Sequence, residues 1–247
     1  MIAPLALLAL FLGGWELYTQ ASGVDSFILP APHEIAQSLY DDRSLLLSNL
    51  SVTAQEVGLG VVLALVIGGL LAFALHLSPT LRRAAYPLLV SSQAVPFVIL
   101  APLLVFWFGF SVFAKLAIVV LVCFFPVVVT TLDALRNVDP ELIKLMRTLD
   151  ASRWQTLRMV EGPAALPAAL SGAKIAVAVA VIGAVFAEYT GSEKGLGHLL
   201  LTSTPQLETA RAWAATVVLA LFAVALFAAL GLAQRVLVPW TGKDHKP

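Results

Sequence analysis

Charge is what this sequence has least of. Only 12% of its 247 residues are charged, against roughly a quarter in a soluble domain. Fifteen cations balance fifteen acids, so the basic surplus that nucleic-acid binding demands is missing. A single cysteine, Cys123 in VVLVCFFPVVV, excludes an internal disulfide and a CxxC metal site. His33, His76, His198 and His245 are scattered without metal-ligand spacing. What remains is apolar: 60% hydrophobic residues and a mean hydropathy of +0.92, the composition of a membrane protein.

A bilayer core about 30 Å thick needs about 20 mostly apolar residues per helix. Six such runs are present, at about 3–18, 57–77, 87–108, 112–132, 170–189 and 211–233. The first has no basic residue before it and no A-x-A site before Gly23, so it reads as a retained anchor. The expectation is an all-α membrane protein of six transmembrane helices, one transmembrane domain over 1–247. Lys and Arg orient it, since cytoplasmic loops hold the excess. One set of loops carries Arg82, Arg83, Arg136, Lys144, Arg147, Arg153, Arg158, Arg235, Lys243 and Lys246, with Lys174 at a helix mouth; the other carries Arg43, Lys115, Lys194 and Arg211. Both termini are therefore expected in the cytoplasm. Trp15, Tyr18, Trp107, Tyr189 and Trp213 mark one interface, and Tyr86 and Trp240 the other.

Between the first two spans, Pro30 and Pro32 with Ile35, Leu39 and Leu46 suggest a short amphipathic helix bracing the membrane surface; a solvated connector is the alternative. Small residues recur every four positions at Gly60, Ala64, Gly68 and Ala72, and again at Gly172, Ala176, Ala180 and Ala184. Such rows let helices approach closely where no hydrophobic drive exists between them.

The third span is the polar exception, with Ser91, Ser92 and Gln93 inside it and Pro96 following. Pro96 lacks an N–H, which frees the Ser92 carbonyl, and a polar spot at membrane depth needs protein or a water-filled cavity around it. Ser91, Ser92, Gln93 and Pro96 are candidates for lining a solute path; alternatively they bond a neighbouring helix and Pro96 only kinks the segment. Glu188 falls about 27 Å beyond Leu170 along a helix, near the outer interface, as a path or gate residue or as a snorkelling acid. Lys115 and Lys174 lie near helix ends, where their stems reach water.

Residues 134–169 form the longest loop on the cytoplasmic side. Asp139 can cap a helix that Pro140 opens, and Leu142, Leu145, Met146 and Leu149 make an apolar stripe among cations. A second short helix follows from Ser152, with Pro163 and Pro167 expected to end it. An amphipathic hairpin of this kind fits a groove in another protein.

This loop resembles the cytoplasmic signature of the permeases of binding-protein-dependent ABC importers: EAA, three residues, Gly, nine residues, I-x-L-P. Lys144, Leu145 and Met146 occupy the EAA positions, Asp150 the Gly position, and Val160 to Pro163 the closing four. The flanks VDPEL, ASRWQTLR and PAALP, together with LPAPHEIAQSL, APLLVFWFGF and the segment from Ala187 to Gly197, are similar to the nitrate, sulfonate and taurine branch. The resemblance implies the type I importer permease fold and two permease subunits, identical by expectation, at the inner membrane. It implies a separate ATPase holding ATP and Mg, and an extracytoplasmic solute-binding protein. No cofactor and no catalysis are expected in this chain, whose Gly242-Lys243 lacks the phosphate-cradling pattern. The residues implied to touch the ATPase are Glu141, Lys144, Leu145, Met146, Asp150, Ala151, Ser152, Arg153 and Trp154. Lys144 reverses the family's acid, and Glu141, three residues earlier on nearly the same face, can supply a carboxylate. SSQAVPFVILAP is similar to members that import thiamine-related pyrimidines or riboflavin-like heterocycles; sulfonate, taurine or nitrate is the alternative cargo. The rival from another class is an ion-gradient-driven carrier, which usually shows ionisable residues inside the membrane.

Overall fold

The computed structural model describes residues 2–240, and those residues are helical without a strand. In chain order the helices are α1 (Ile2–Ser22), α2 (Pro32–Asp41), α3 (Arg43–Leu77), α4 (Pro79–Ser92), α5 (Phe97–Phe108), α6 (Val112–Arg136), α7 (Pro140–Thr148), α8 (Arg153–Thr156), α9 (Gly162–Gly191), α10 (Leu196–Ser203) and α11 (Thr209–Leu237). Lys243, Lys246, His245 and the Gly242-Lys243 pair lie outside the described residues.

Among the described residues, four helical rods are long and apolar enough to cross a bilayer: Arg43–Leu77, Val112–Arg136, Arg153–Gly191 and Thr209–Leu237. The expected third span is two helices instead. α4 and α5 meet at 99° across a short break. The reason is local: Gln93, Ala94 and Val95 donate back three residues, to Val90, Ser91 and Ser92, at 3.1, 3.1 and 3.4 Å. Pro96 then takes an extended ψ of 120° and offers no N–H to restore the α-helical ladder. The Ser92 carbonyl is therefore met by Val95, not left free.

Pro163 and Pro167 do not stop the chain where an end was expected. A π-helical turn at Leu157–Glu161 joins α8 to α9 in one rod. There the Gly162 N–H donates to the Leu157 carbonyl, five residues back; the wider turn accommodates Pro163.

α6 is the central rod, flanked by α3 and α9, and the small-residue rows form these two seams. A Cβ on Gly60 would lie 2.7 Å from the Val119 Cβ, one on Gly68 2.9 Å from Val127, and one on Gly172 3.2 Å from the Pro126 carbonyl oxygen. Ala64, Ala72, Ala176, Ala180 and Ala184 are fully buried along the same rows. Cys123 sits in this core, its thiol 3.2 Å from the Ala176 carbonyl.

The brace between the first two spans is α2. Glu34 accepts from the Ala31 N–H at 2.8 Å, and the helix packs on α11 with Ile35 and Ser38 buried; Leu46 belongs to α3. Asp42 receives Ser38 Oγ at 2.8 Å and pairs with Arg211 at 3.0 Å. Burial works against its charge, but the hydrogen bonds from Arg211 and Ser38 outweigh it and hold the carboxyl below its ordinary range. α1 reaches α11 through Trp15 and Trp213, ring centroids 5.1 Å apart, and reaches α2 through Glu16 and His33 at 2.6 Å.

Candidate functional site

Three regions hold the candidate residues, the first two at opposite ends of the long rods. The first is the α7–α8 hairpin. Asp139 caps α7 by accepting from the Glu141 N–H at 2.9 Å. The helix then closes in a paired bond: the Asp150 N–H reaches Arg147 O at 3.1 Å and the Ala151 N–H reaches Met146 O at 3.0 Å. This is the C-terminal closure that glycine usually serves, because its turning residue is left-handed. Asp150 does so here at φ +52°, as an Asp can with less ease than Gly.

Ser152 opens α8 by a reciprocal exchange with Gln155, at 2.7 and 3.3 Å. Arg153 ties the hairpin to the end of α3 by donating to the Leu77 carbonyl at 3.3 Å, and His76 and Glu161, 3.1 Å apart, add a second tie. Met146, implied to touch the ATPase, is buried on this chain. Leu142, Leu145, Leu149 and Trp154 are exposed, the last at 66%. Glu141 and Lys144 pair with each other at 2.6 Å on the exposed face.

Asp150→Gly should stabilise the hairpin by about 0.5–1 kcal/mol by relieving the left-handed strain, whereas Asp150→Val should cost about 1–2 kcal/mol. Amide exchange at Ala151, slowed in the first variant and accelerated in the second, is the direct measurement.

The second region is a buried polar junction where α3, α6, α9 and α10 meet. A helix leaves its first N–H groups without partners, and at α10 three successive ones are met by side chains. Asn49 Oδ1 accepts from Gly195 N at 2.8 Å, Thr53 Oγ1 from Leu196 N at 2.9 Å and Glu188 Oε2 from Gly197 N at 2.5 Å. Thr53 in turn donates to Glu188 Oε1 at 2.6 Å. Gly195, at φ +123°, must be glycine for a further reason: a Cβ there would fall inside the Glu188 carboxylate. Glu188 is therefore neither a snorkelling acid nor the wall of an open passage in this chain. It is 0% exposed and anchors α10.

Lys115 departs from expectation in the same way. Its stem does not reach water; it is buried in an ion pair with Glu56 and also donates to Ser192 Oγ at 3.1 Å. Glu56, Asn49 and Thr53 were no part of the expected site. Beside the junction lies a cavity of about 690 Å³ whose lining includes Phe110, Lys115, Tyr189, Ser192 and His198.

Ser91, Ser92, Gln93 and Pro96 lie at the α4–α5 break, exposed on this chain. Ser92 Oγ donates to Leu89 O at 2.7 Å, and Gln93 Nε2 to Ser92 Oγ at 3.3 Å; among the described residues these bonds stay within α4 and its end.

Residues 60–243 match the family model described as the binding-protein-dependent transport system inner membrane component. The chain belongs to this family. It is thus a permease of an ABC importer, a membrane transport component rather than a catalyst. The permease is 35% identical over 231 residues to the formylaminopyrimidine transport permease protein ThiX of Halalkalibacterium halodurans, covering 93% of this chain and 92% of that protein. It is 35% identical over 236 residues to the riboflavin transport system permease protein RibX of Chloroflexus aurantiacus, covering 94% and 88%. It is 30% identical over 244 residues to the taurine transport system permease protein TauC of Escherichia coli, covering 96% and 88%. In fold it is similar to a chain of the MetNI methionine ABC transporter solved in inward-facing conformations: TM-score 0.67, 20% identity, 80% of this chain and 96% of that one.

Proposed function

We propose that this permease forms, with a second and identical copy, the passage of an ATP-driven importer for a small heteroaromatic solute, a thiamine-related pyrimidine or a riboflavin-like heterocycle. An extracytoplasmic binding protein delivers the solute, and α7–α8 seats on a separate ATPase chain that binds ATP and Mg. Both termini then lie in the cytoplasm, on the side of the hairpin. The observation that carries the coupling role is the exposed row Leu142, Leu145, Leu149 and Trp154 on a segment rich in cations, which needs a partner to cover it.

Ser91, Ser92, Gln93 and Pro96 face the passage in this reading, because their break needs water or protein at membrane depth. The 35% identity to ThiX and RibX supports this cargo class. The cavity beside the junction supports it, with Phe110 and Tyr189 for a ring and Lys115, Ser192 and His198 for its polar edge. A sulfonate or taurine cargo on the same machinery is favoured by the 30% identity to TauC.

Proteoliposomes holding the permease, its ATPase and its binding protein test the scheme. Uptake of a labelled aminopyrimidine should stop when ATP is withheld and continue when ion gradients are collapsed. The reverse pattern identifies an ion-driven carrier, and competition by taurine but not by pyrimidine identifies the sulfonate branch.

A further inference from the structure

Two other cations on the membrane-spanning rods have acids beside them: Lys115 has Glu56, and Arg211 has Asp42 and Glu208. Lys174, half-buried, and Arg235, exposed, have none among the described residues. Lys174 projects from α9 twelve residues after Gly162, its Nζ 5.8 Å from the Phe227 ring centroid. A Cβ on Gly231 would lie 3.9 Å from that same Nζ, so the missing side chain leaves room around it. Arg235 stands one helical turn beyond Gly231 on α11, toward the end of the rod that holds the hairpin. Gln234 donates to the Pro167 carbonyl at 3.3 Å and fixes α11 against α9 at this level. The result is a cavity of about 630 Å³ bounded by Lys174, Phe227, Gly231, Leu232, Gln234 and Arg235.

A cation in an apolar setting is costly unless its charge is compensated. Here one cation lies deeper in the rod and one nearer its end, with aromatic and aliphatic wall between, on two helices that are both apolar enough to span the bilayer. We propose that this cavity binds an anionic phospholipid, its phosphate between Lys174 and Arg235 and its acyl chain along Phe227 and Leu232. Charge complementarity favours an anionic over a zwitterionic headgroup. The apolar wall favours a lipid over a soluble anion, which would leave the exposed faces of Phe227 and Leu232 uncovered. The inference does not depend on the importer's cargo or on its coupling to ATP.

The test is native mass spectrometry of the full-length permease after equilibration with vesicles of phosphatidylglycerol and phosphatidylcholine, compared with phosphatidylcholine alone. Each cation at a lipid surface contributes about a fivefold preference, so the pair contributes roughly 30-fold. Lys174→Gln with Arg235→Gln should lose that preference for phosphatidylglycerol, while Lys174→Arg with Arg235→Lys should keep it and shows that loss of charge, not of fold, is being read. Three results overturn the proposal: equal retention of phosphatidylglycerol by the Gln pair, displacement of the bound lipid by inorganic phosphate, or disulfide-linked dimers through Gly231→Cys, which would assign the face to a second copy.

Discussion

Lys115→Met should destabilise the permease by about 3–5 kcal/mol, the cost of leaving one member of a buried pair without its partner. The stranded group is Glu56. Its Oε2 is buried with no hydrogen-bond partner among the described residues, so Lys115 is what compensates its charge. The same change releases Ser192 and with it the stretch leading into α10. Glu56→Gln combined with Lys115→Met should recover most of the loss, because two neutral groups of similar shape replace the pair. A double-mutant cycle by thermal unfolding in detergent measures this. If the double variant is as unstable as the sum of the single ones, the pair is not a coupled unit and the assignment fails.

Trp154→Ala should abolish most ATP-driven uptake without unfolding the bundle. Its side chain is exposed and makes no hydrogen bond or ring contact among the described residues, whereas an exposed Trp that becomes buried on a partner is the residue type whose truncation costs at least 2 kcal/mol, roughly 30-fold in affinity. Copurification of the ATPase with the permease reads the docking, and uptake per ATP hydrolysed reads the coupling. Glu141→Lys is the finer arm. It breaks the pair with Lys144 and places two cations where the resemblance implies an acid, so ATP hydrolysis should continue while uptake falls. Wild-type coupling in that variant would assign the recognising charge to another residue.

The long rods were legible because hydropathy is a property of runs, and α3, α6, α9 and α11 contain the runs expected for them. Their ends were not. α3 begins at Arg43, well before the expected 57, because its first turns are polar and helical at once. A signal for the junction was nevertheless present: Asn49, Thr53 and Glu56 are spaced by four and three, and Gly60, Ala64 and Gly68 continue the same face. One stripe that is polar and then small announces close packing around buried hydrogen bonds. Counting charges per segment concealed it, since Glu56 fell just outside the expected span. Asp150 was legible as a bend because its chemistry tolerates the left-handed region, and the structure places it there. The burial of Met146 was not legible, because an amphipathic stripe identifies an apolar face without saying what covers it. The sharp angle at Gln93 to Pro96 was not legible in the run 87–108, which was read as one span with a kink at Pro96 only as the alternative, since proline identity does not reveal that three residues before it would tighten together.

That corner between α4 and α5 has a consequence for how the protein is made. A straight span can sit in lipid by itself, but a corner with Ser91, Ser92 and Gln93 on its outside has backbone and side-chain dipoles that hydrocarbon cannot solvate. A newly inserted copy therefore stays incomplete until another surface or trapped water shelters the corner. Surplus copies made without their assembly partners are expected to be short-lived, cleared by membrane proteases before they accumulate.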